Sequence, residues 1–379
     1  MKLIHAKIFQ KKGFVEGNLC IHQGKFVQES KDDQIVDVKG MMVLPGFIDI
    51  HVHGAMGADF NDGTQESIGK ITGFFAAHGT TSLLATTSTV SIETLARAVE
   101  AAAEYQKNPK APGAQVLGVH LEGPFFNPNA LGAQNPAYVQ VPSVETFLKI
   151  AGKHADFIKM AAVAPEMEGA EDFIRDMRRR GIVAAVGHTC ADYETAKSAF
   201  SAGANMLTHF YNAMTPLKHR EPGVVGAAFE HKNLYTQLIC DFIHVHPAAL
   251  RIAIEEMGKD HVIAITDAIS GTGLGDGTYS LGGLEIFVKD GVCRIAQGNL
   301  AGSTLTLDTA LRNLLSMGYS IADCVGFLSK NPARALGLHQ KGTIAEGFDA
   351  DLVVLDDAMQ VQMTIVGGEI VFDRTQNEQ

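Results

Sequence analysis

Residues 46–54 read GFIDIHVHG, and the reading of this stretch decides the fold. It is an apolar, β-branched run that ends in Asp49-Ile50-His51-Val52-His53-Gly54. Side chains alternate along a strand, so His51 and His53 leave it on the same side, one pleat apart, and can share one ion. Working outward, similar runs recur, so that eight strands are predicted at 46–53, 80–87, 116–122, 157–164, 182–188, 206–211, 235–242 and 262–267. Most are separated by a helical pattern, such as TQESIGKITGFFAAHG, SIETLARAVEAAAEY, SVETFLKIAGKH, AEDFIRDMRRRG and ADYETAKSAFSAG. Several of these begin with a Ser, Thr or Asp cap and end near Gly. Strand–helix alternation implies parallel strands, and eight of them imply a closed (β/α)₈ TIM barrel over residues 45–342. A doubly wound open sheet is the alternative, but no GxGxxG follows the early strands to support a dinucleotide site.

Both chain ends are β-rich and helix-poor, with KLIHAKIF, GNLCIHQGKFV and QIVDVKGMMVLPG at one and GTIAEGFDADLVVLD and MTIVGGEIVF at the other. Residues 1–44 and 343–379 are therefore expected to pair into one small discontinuous β-sandwich domain. The 379 residues suit one large α/β domain with such an accessory, and 46% hydrophobic content supports a large core. No apolar run approaches a membrane span and the first residues carry no signal-peptide pattern, so a cytoplasmic protein is expected. The net charge of −11 argues against nucleic acid and anionic membrane as partners, but not against a small anion. Five widely spaced cysteines without CxxC read as structural thiols; Cys190 is set apart because it follows His188 by two residues.

Barrel enzymes carry their chemistry at the C-terminal ends of the strands. Besides His51 and His53, the predicted ends are His120-Leu121-Glu122-Gly123-Pro124, Gly187-His188-Thr189, Thr208-His209 and Thr266-Asp267. Imidazoles and carboxylates together suit Zn²⁺ first, then Fe²⁺, Mn²⁺ or Co²⁺, and the lack of a cysteine cluster argues against a structural zinc. One or two divalent ions per chain are expected. His120 shares a strand face with Glu122 and is a candidate to support the ligands. His78 ends a helix before Gly79, where it suits the helix dipole. His5, His22, His154, His231, His261 and His339 fall in terminal strands, helices or helix-to-strand turns and are assigned no function.

At this point the chain resembles the N-acetylglucosamine-6-phosphate deacetylases of the amidohydrolase superfamily. Matching stretches run almost end to end: LPGFIDIHVHG, HGTTSLLATT, GVHLEGPFFNP, VGHTCADYETA, THFYNAMTPLKHREPG, ITDAISGTG and LAGSTLTLDTA. The resemblance implies that Glu122, His188 and His209 hold one metal and that Asp267 is the catalytic acid/base. Some members lack the His-x-His pair; because His51 and His53 are present here, they imply a second ion shared with Glu122 and Asp267. Substrate contacts are implied at Ala133, Gln134, Asn212, Ala213, Arg220, His244 and the Leu300-Ala301-Gly302 turn. The family's arginine reaches the phosphate across a dimer interface, so a homodimer is implied in which Arg220 serves the partner's site.

Two departures matter. The family usually has histidine where this chain has Gln134, and tends to have glycine where Phe242 sits. Both bear on the sugar and leave the chemistry alone. The implied reaction is hydrolysis of N-acetylglucosamine 6-phosphate by metal-activated water, with Asp267 as general base and then acid to the leaving amine, and His244 helping to stabilise the oxyanion. The same reaction on N-acetylgalactosamine 6-phosphate is the near alternative. A cyclic amidase is the further one, but it usually bridges its metals with a modified lysine at the end of strand 4. Here that end is Ala162-Val163-Ala164-Pro165-Glu166, with Lys159 well before it. The Asn-, Pro- and Gly-rich loop 125–140 fits a mobile lid.

Overall fold

The computed structural model describes residues 1–11, 13–29 and 34–374. Eight strands follow one another around a single parallel sheet: β1 (Phe47–Val52), β2 (Thr80–Thr87), β3 (Gln115–Leu121), β4 (Ile158–Val163), β5 (Val183–Val186), β6 (Met206–Leu207), β7 (Tyr235–Ile239) and β8 (Val262–Ile265). The Asp267 N–H donates to His51 O at 2.9 Å and the His53 N–H to Ala268 O at 2.9 Å, joining β8 back to β1. The sheet is a barrel and not an open doubly wound one. Every residue of β1 and β2 is buried, as expected of strands covered on one side by helices and on the other by the barrel interior.

The helices begin where the sequence placed their caps. Thr64, Ser91, Ser143 and Asp192 accept the N–H of Ser67, Thr94, Thr146 and Thr195, respectively, ahead of helices Gln65–Ala77, Ile92–Lys107, Val144–Ala151 and Tyr193–Ala202. Helix Ala170–Arg179 starts instead after Gly169, in a left-handed conformation. His78 ends the first of these helices, but its role is more specific than the dipole alone. Its Nδ1 lies 3.1 Å from Asp308 Oδ1, and Arg312 donates to Asp308 Oδ2 at 3.0 Å, tying that helix to Leu307–Ser316.

Burial alone would raise the Asp308 carboxyl, but the hydrogen bond and charge of His78, with Arg312, hold it down at about 2. A depressed folded-state value stabilises the fold above the ordinary carboxylate range, and that stability is lost as pH falls from about 4 toward 2. Asp308→Asn is therefore expected to cost roughly 2 kcal/mol at pH 7, seen as a lower urea midpoint, with the deficit shrinking in titrations below pH 4. A deficit that stayed constant down to pH 2 would contradict the ion-pair account.

The pattern overshoots at the later strands. The runs 182–188, 206–211, 235–242 and 262–267 end early as strands, at Val186, Leu207, Ile239 and Ile265. After Leu207 the backbone turns into the left-handed region at His209 (φ 27°), Tyr211 (φ 77°) and Ala213 (φ 49°). Asn212 Nδ2 closes that turn by donating to the His209 and Phe210 carbonyls at 3.1 and 3.3 Å.

The chain ends also meet as expected. Leu352–Leu355 pairs antiparallel with Met42–Pro45, which pairs with Lys2–Gln10 at the centre of one eight-stranded sheet. Hydrogen bonds between Gly24, Phe26 and residues 347–350 bend this sheet over its own core of Leu3, Ile8, Phe26, Val43, Leu352 and Val354. The alternate residues Leu44, Val353 and Leu355 face the barrel core instead, so one strand pair serves two cores through the two-residue period of a strand. Residues 12, 30–33 and 375–379 of the expected terminal domain lie outside the described residues.

One element has no counterpart in the strand count above. Gly277–Leu281, Leu284–Lys289 and Val292–Ile295 form a separate antiparallel sheet after β8. The signal for it is local: Gly282-Gly283 and Asp290-Gly291 are hairpin dipeptides between alternating apolar residues.

Candidate metal centre

At the C-terminal ends of the barrel strands six side chains meet, with four imidazoles around one carboxylate. Glu122, just past β3, has Oε1 at 3.0 Å from His209 Nε2 and at 3.3 Å from the Nε2 atoms of His188 and His51. Its Oε2 lies 3.3 Å from His53 Nε2. Asp267 Oδ1 lies 3.3 Å from His51 Nε2 and 3.2 Å from His53 Nε2. His51 and His53 stand 3.3 Å apart through their Nε2 atoms, and His188 and His209 stand 3.0 Å apart. Two ligands about 2.1 Å from one ion, at about 90–110° to each other, are separated by about 3.0–3.4 Å. The spacing therefore fits two ligand groups, His51–His53–Asp267 and Glu122–His188–His209, all buried.

Two of the imidazoles are also turned the right way round by a partner on Nδ1. Gln237 Oε1 accepts the His209 N–H at 3.3 Å, which orients its amide, and the same oxygen lies 2.9 Å from His51 Nδ1. His188 Nδ1 lies 3.1 Å from Ala130 O. In both rings the proton sits on Nδ1, leaving the Nε2 lone pair aimed into the centre. Three of the assembled residues hold left-handed backbone, His188 (φ 48°), His209 (φ 27°) and Asp267 (φ 52°). Such conformations cost of order 1–3 kcal/mol each and cluster where a site is held in place by its surroundings.

Charge in this pocket is distributed by mutual contact. Burial alone would raise Glu122, but the charge of His51 and hydrogen bonds from His188, His209 and His51 hold it well below the carboxylate range. Asp267 is likewise raised by burial and lowered by His51 and His53, the lowering being the larger. Burial pushes His188 down, whereas His53 and His209, though also buried, are pulled up by their carboxylate neighbours. Protons shared in this way are displaced when a cation takes the same lone pairs.

A cavity of about 310 Å³ opens over the centre. Of the residues expected to touch substrate, Ala133, Gln134, Asn212, Ala213, His244, Leu300 and Gly302 line it. Two do not. Ala301 is fully buried in the core of the small antiparallel sheet, so the turn offers only its flanking residues to the cavity. Arg220 is exposed, with NH1 donating to His219 Nε2 at 2.7 Å, away from this chain's own cavity wall. His244 is held by Asp241, whose Oδ2 lies 2.7 Å from its Nδ1, and Phe242 beside it has φ 67°, a conformation that glycine takes without strain. A larger cavity of about 700 Å³ lies next door, beyond Asn135 and Gly282, but it gathers no imidazoles.

Several residues of the site were not singled out in the sequence. Gln237 is a fully buried amide in β7, and Asp49 lies two positions before His51, accepting from Thr266 Oγ1 at 2.6 Å. A buried polar group in an apolar strand is the signal that marks both. His120 is fully buried with its ring edge-on to His51 at 4.7 Å; it packs behind that ligand. Cys190 is exposed; its N–H donates to Glu166 Oε1 at 2.5 Å, and burial with that carboxylate pushes its thiol up. Among the described residues neither ligand group includes a cysteine. The first part of the loop expected as a lid contacts His188, with the Asn127 N–H on His188 O at 3.1 Å and Ala130 O at His188 Nδ1.

Comparison with known proteins agrees with this geometry. Residues 42–371 match the model of the Amidohydrolase family. The N-acetylglucosamine-6-phosphate deacetylase of Bacillus subtilis (strain 168) is 36% identical over 96% of this chain and 93% of its own length. This chain belongs to the N-acetylglucosamine-6-phosphate deacetylase family of amidohydrolases. The N-acetylgalactosamine-6-phosphate deacetylase of Escherichia coli O157:H7 is 37% identical, covering 87% of each chain. Among solved structures, a mutant N-acetyl-D-glucosamine-6-phosphate deacetylase from Mycobacterium smegmatis, in complex with N-acetyl-D-glucosamine-6-phosphate, superposes with a TM-score of 0.90. It is 33% identical, over 98% of this chain and 99% of that one. The barrel with its separate terminal sheet is thus the family fold. Among the described residues no helix is long and apolar enough to cross a membrane.

Proposed function

We propose that this chain hydrolyses N-acetylglucosamine 6-phosphate to glucosamine 6-phosphate and acetate, in the cytoplasm and as a homodimer. The observation that carries this reading is the convergence of four imidazole Nε2 atoms on the two oxygens of Glu122, with Asp267 beside them on the floor of the cavity. Glu122, His188 and His209 would hold one divalent ion, and His51, His53 and Asp267 the other with Glu122 between them. Zinc suits the donor set best, and iron, manganese or cobalt would also fit. A divalent ion in such a site supplies a Lewis acid for the acetyl carbonyl and lowers the pKa of its water from 15.7 to about 7.

The protein's own residues do the rest. The Asp267 carboxylate takes a proton from the attacking water and passes it to the leaving nitrogen, which departs as an amine instead of an unstable anion. His244, fixed through Nδ1 on Asp241, offers its other ring nitrogen to the sugar and to the oxyanion. Asn212, Ala213, Ala133, Leu300 and Gly302 in the cavity wall would frame the sugar. The cyclic-amidase alternative loses support, because Lys159 Nζ donates to Asp156 O at 2.8 Å on the exposed side of β4.

The exposed position of Arg220, off its own cavity wall, supports its service to the partner's phosphate site. A charge-assisted hydrogen bond of about 2 kcal/mol to a phosphate dianion corresponds to a roughly 30-fold change in affinity. Acetate release is expected from N-acetylglucosamine 6-phosphate with the parent enzyme. Arg220→Ala should raise KM for that substrate about 30-fold and KM for N-acetylglucosamine by less than threefold. Equal effects on both sugars would remove the phosphate assignment, and no acetate from the parent would remove the function. N-acetylgalactosamine 6-phosphate in the same assay decides the epimer.

A further inference from the structure

Gln134 was expected at the sugar, yet both ends of its amide are already engaged elsewhere. Its Oε1 accepts the backbone N–H of Thr89 at 2.7 Å, and its Nε2 donates to Glu122 Oε2 at 2.6 Å. The assignment of the two ends is not arbitrary. A backbone N–H can only donate and an ionised carboxylate can only accept, so only this orientation satisfies both neighbours. The side chain is buried, with 5% of its surface exposed. Thr89 cannot give way easily: it is fully buried, and a Cβ on neighbouring Gly123 (φ 101°) would come within 2.2 Å of its Oγ1.

The oxygen that Gln134 holds matters. Among the described residues, Glu122 Oε1 faces His188, His209 and His51, whereas Oε2 faces His53 and Gln134. Among the described residues Gln134 thus provides the one contact from outside the imidazole cluster, and that contact falls on the carboxylate oxygen nearest His53 of the His-x-His half. We propose that Gln134 is a positioning residue, which locks the Glu122 carboxylate in one rotation and thereby sets the affinity of the His51–His53–Asp267 half for its ion. The inference rests on the metal-dependent reading above. Partners that orient a ligand typically change metal affinity by about 10–100-fold when removed.

The test uses the full-length protein, stripped of metal and titrated calorimetrically with Zn²⁺ alone. Three variants are compared: Gln134→Ala, the isosteric Gln134→Glu, which presents an acceptor where the donor stood, and Gln134→His, which can still donate. For Ala and Glu one Zn²⁺ site is expected to stay within threefold of the parent, as Glu122–His188–His209 should. The other should lose about 10–100-fold, with His closest to the parent. In acetate release, kcat of the Ala variant should fall at limiting Zn²⁺ and recover at excess Zn²⁺, with KM for the sugar phosphate within threefold. A simple structural defect would not be refilled in this way. Unchanged Zn²⁺ affinities together with a raised KM would overturn the inference and return Gln134 to the sugar. A parent that bound only one Zn²⁺ would also overturn it, while its acetate release would leave the deacetylase reading standing. The reverse pattern, two ions and no acetate, would remove that reading alone.

Discussion

Asp267→Asn is expected to lower kcat for acetate release by about a thousandfold or more, with one ion per chain still bound by Glu122, His188 and His209. The substitution is isosteric, and the backbone that carries it is pinned independently. The Asp267 N–H donates to His51 O at 2.9 Å, and its carbonyl accepts the Ser303 N–H at 2.7 Å. What changes is the proton chemistry. The contacts of His51 and His53 outweigh burial and keep the Asp267 carboxyl below its ordinary range, so it is in its basic form throughout neutral pH. Asparagine can neither take a proton from water nor return one to the amine. Measured with saturating substrate and metal, a kcat within tenfold of the parent would rule out the acid/base role.

Much of this architecture was legible in the sequence because its physical causes are local. β1 and β2 are covered on both faces and therefore show no alternation between core and solvent residues, only apolar and β-branched residues around Asp49 and His51. Thr64, Ser91, Ser143 and Asp192 cap helices by bonds that span only three residues. His51 and His53 were placeable together because a strand's period is two. The ends of the later strands were less legible. Left-handed backbone at His188, His209 and Asp267 is imposed by the assembled site, and nothing in the flanking residues announces it. The Gln237 and Gln134 contacts join residues far apart in the chain, so neither could be read from spacing. Arg220 lies off its own cavity, and its assignment needs a second subunit. The small sheet after β8 is a different case: its glycine hairpins are local signals, but it lies outside the strand–helix alternation that defines the barrel.

The sugar preference turns on the same distinction. Gln134 differs from the histidine usual in the family, but it is engaged with Glu122 and Thr89, which moves its influence from the sugar to the centre. Phe242 is then the other departure: it stands two residues before His244, which lines the cavity, at a backbone angle suited to glycine.

Removal of the ions has the largest expected effect of all. Without them the nucleophile is water with a pKa of 15.7, where a bound ion would bring it to about 7, so turnover should fall by at least ~10⁴-fold. The donor set then dictates how activity returns. Glu122–His188–His209 and His51–His53–Asp267 are separate ligand groups joined through Glu122, and each can take one ion. The decisive measurement is acetate release from N-acetylglucosamine 6-phosphate as Zn²⁺ is added stepwise to the stripped protein. The account predicts negligible turnover at the start and a plateau at two equivalents per chain. A plateau at one equivalent would contradict the paired centre, and full turnover by the stripped protein would contradict metal-dependent deacetylation itself.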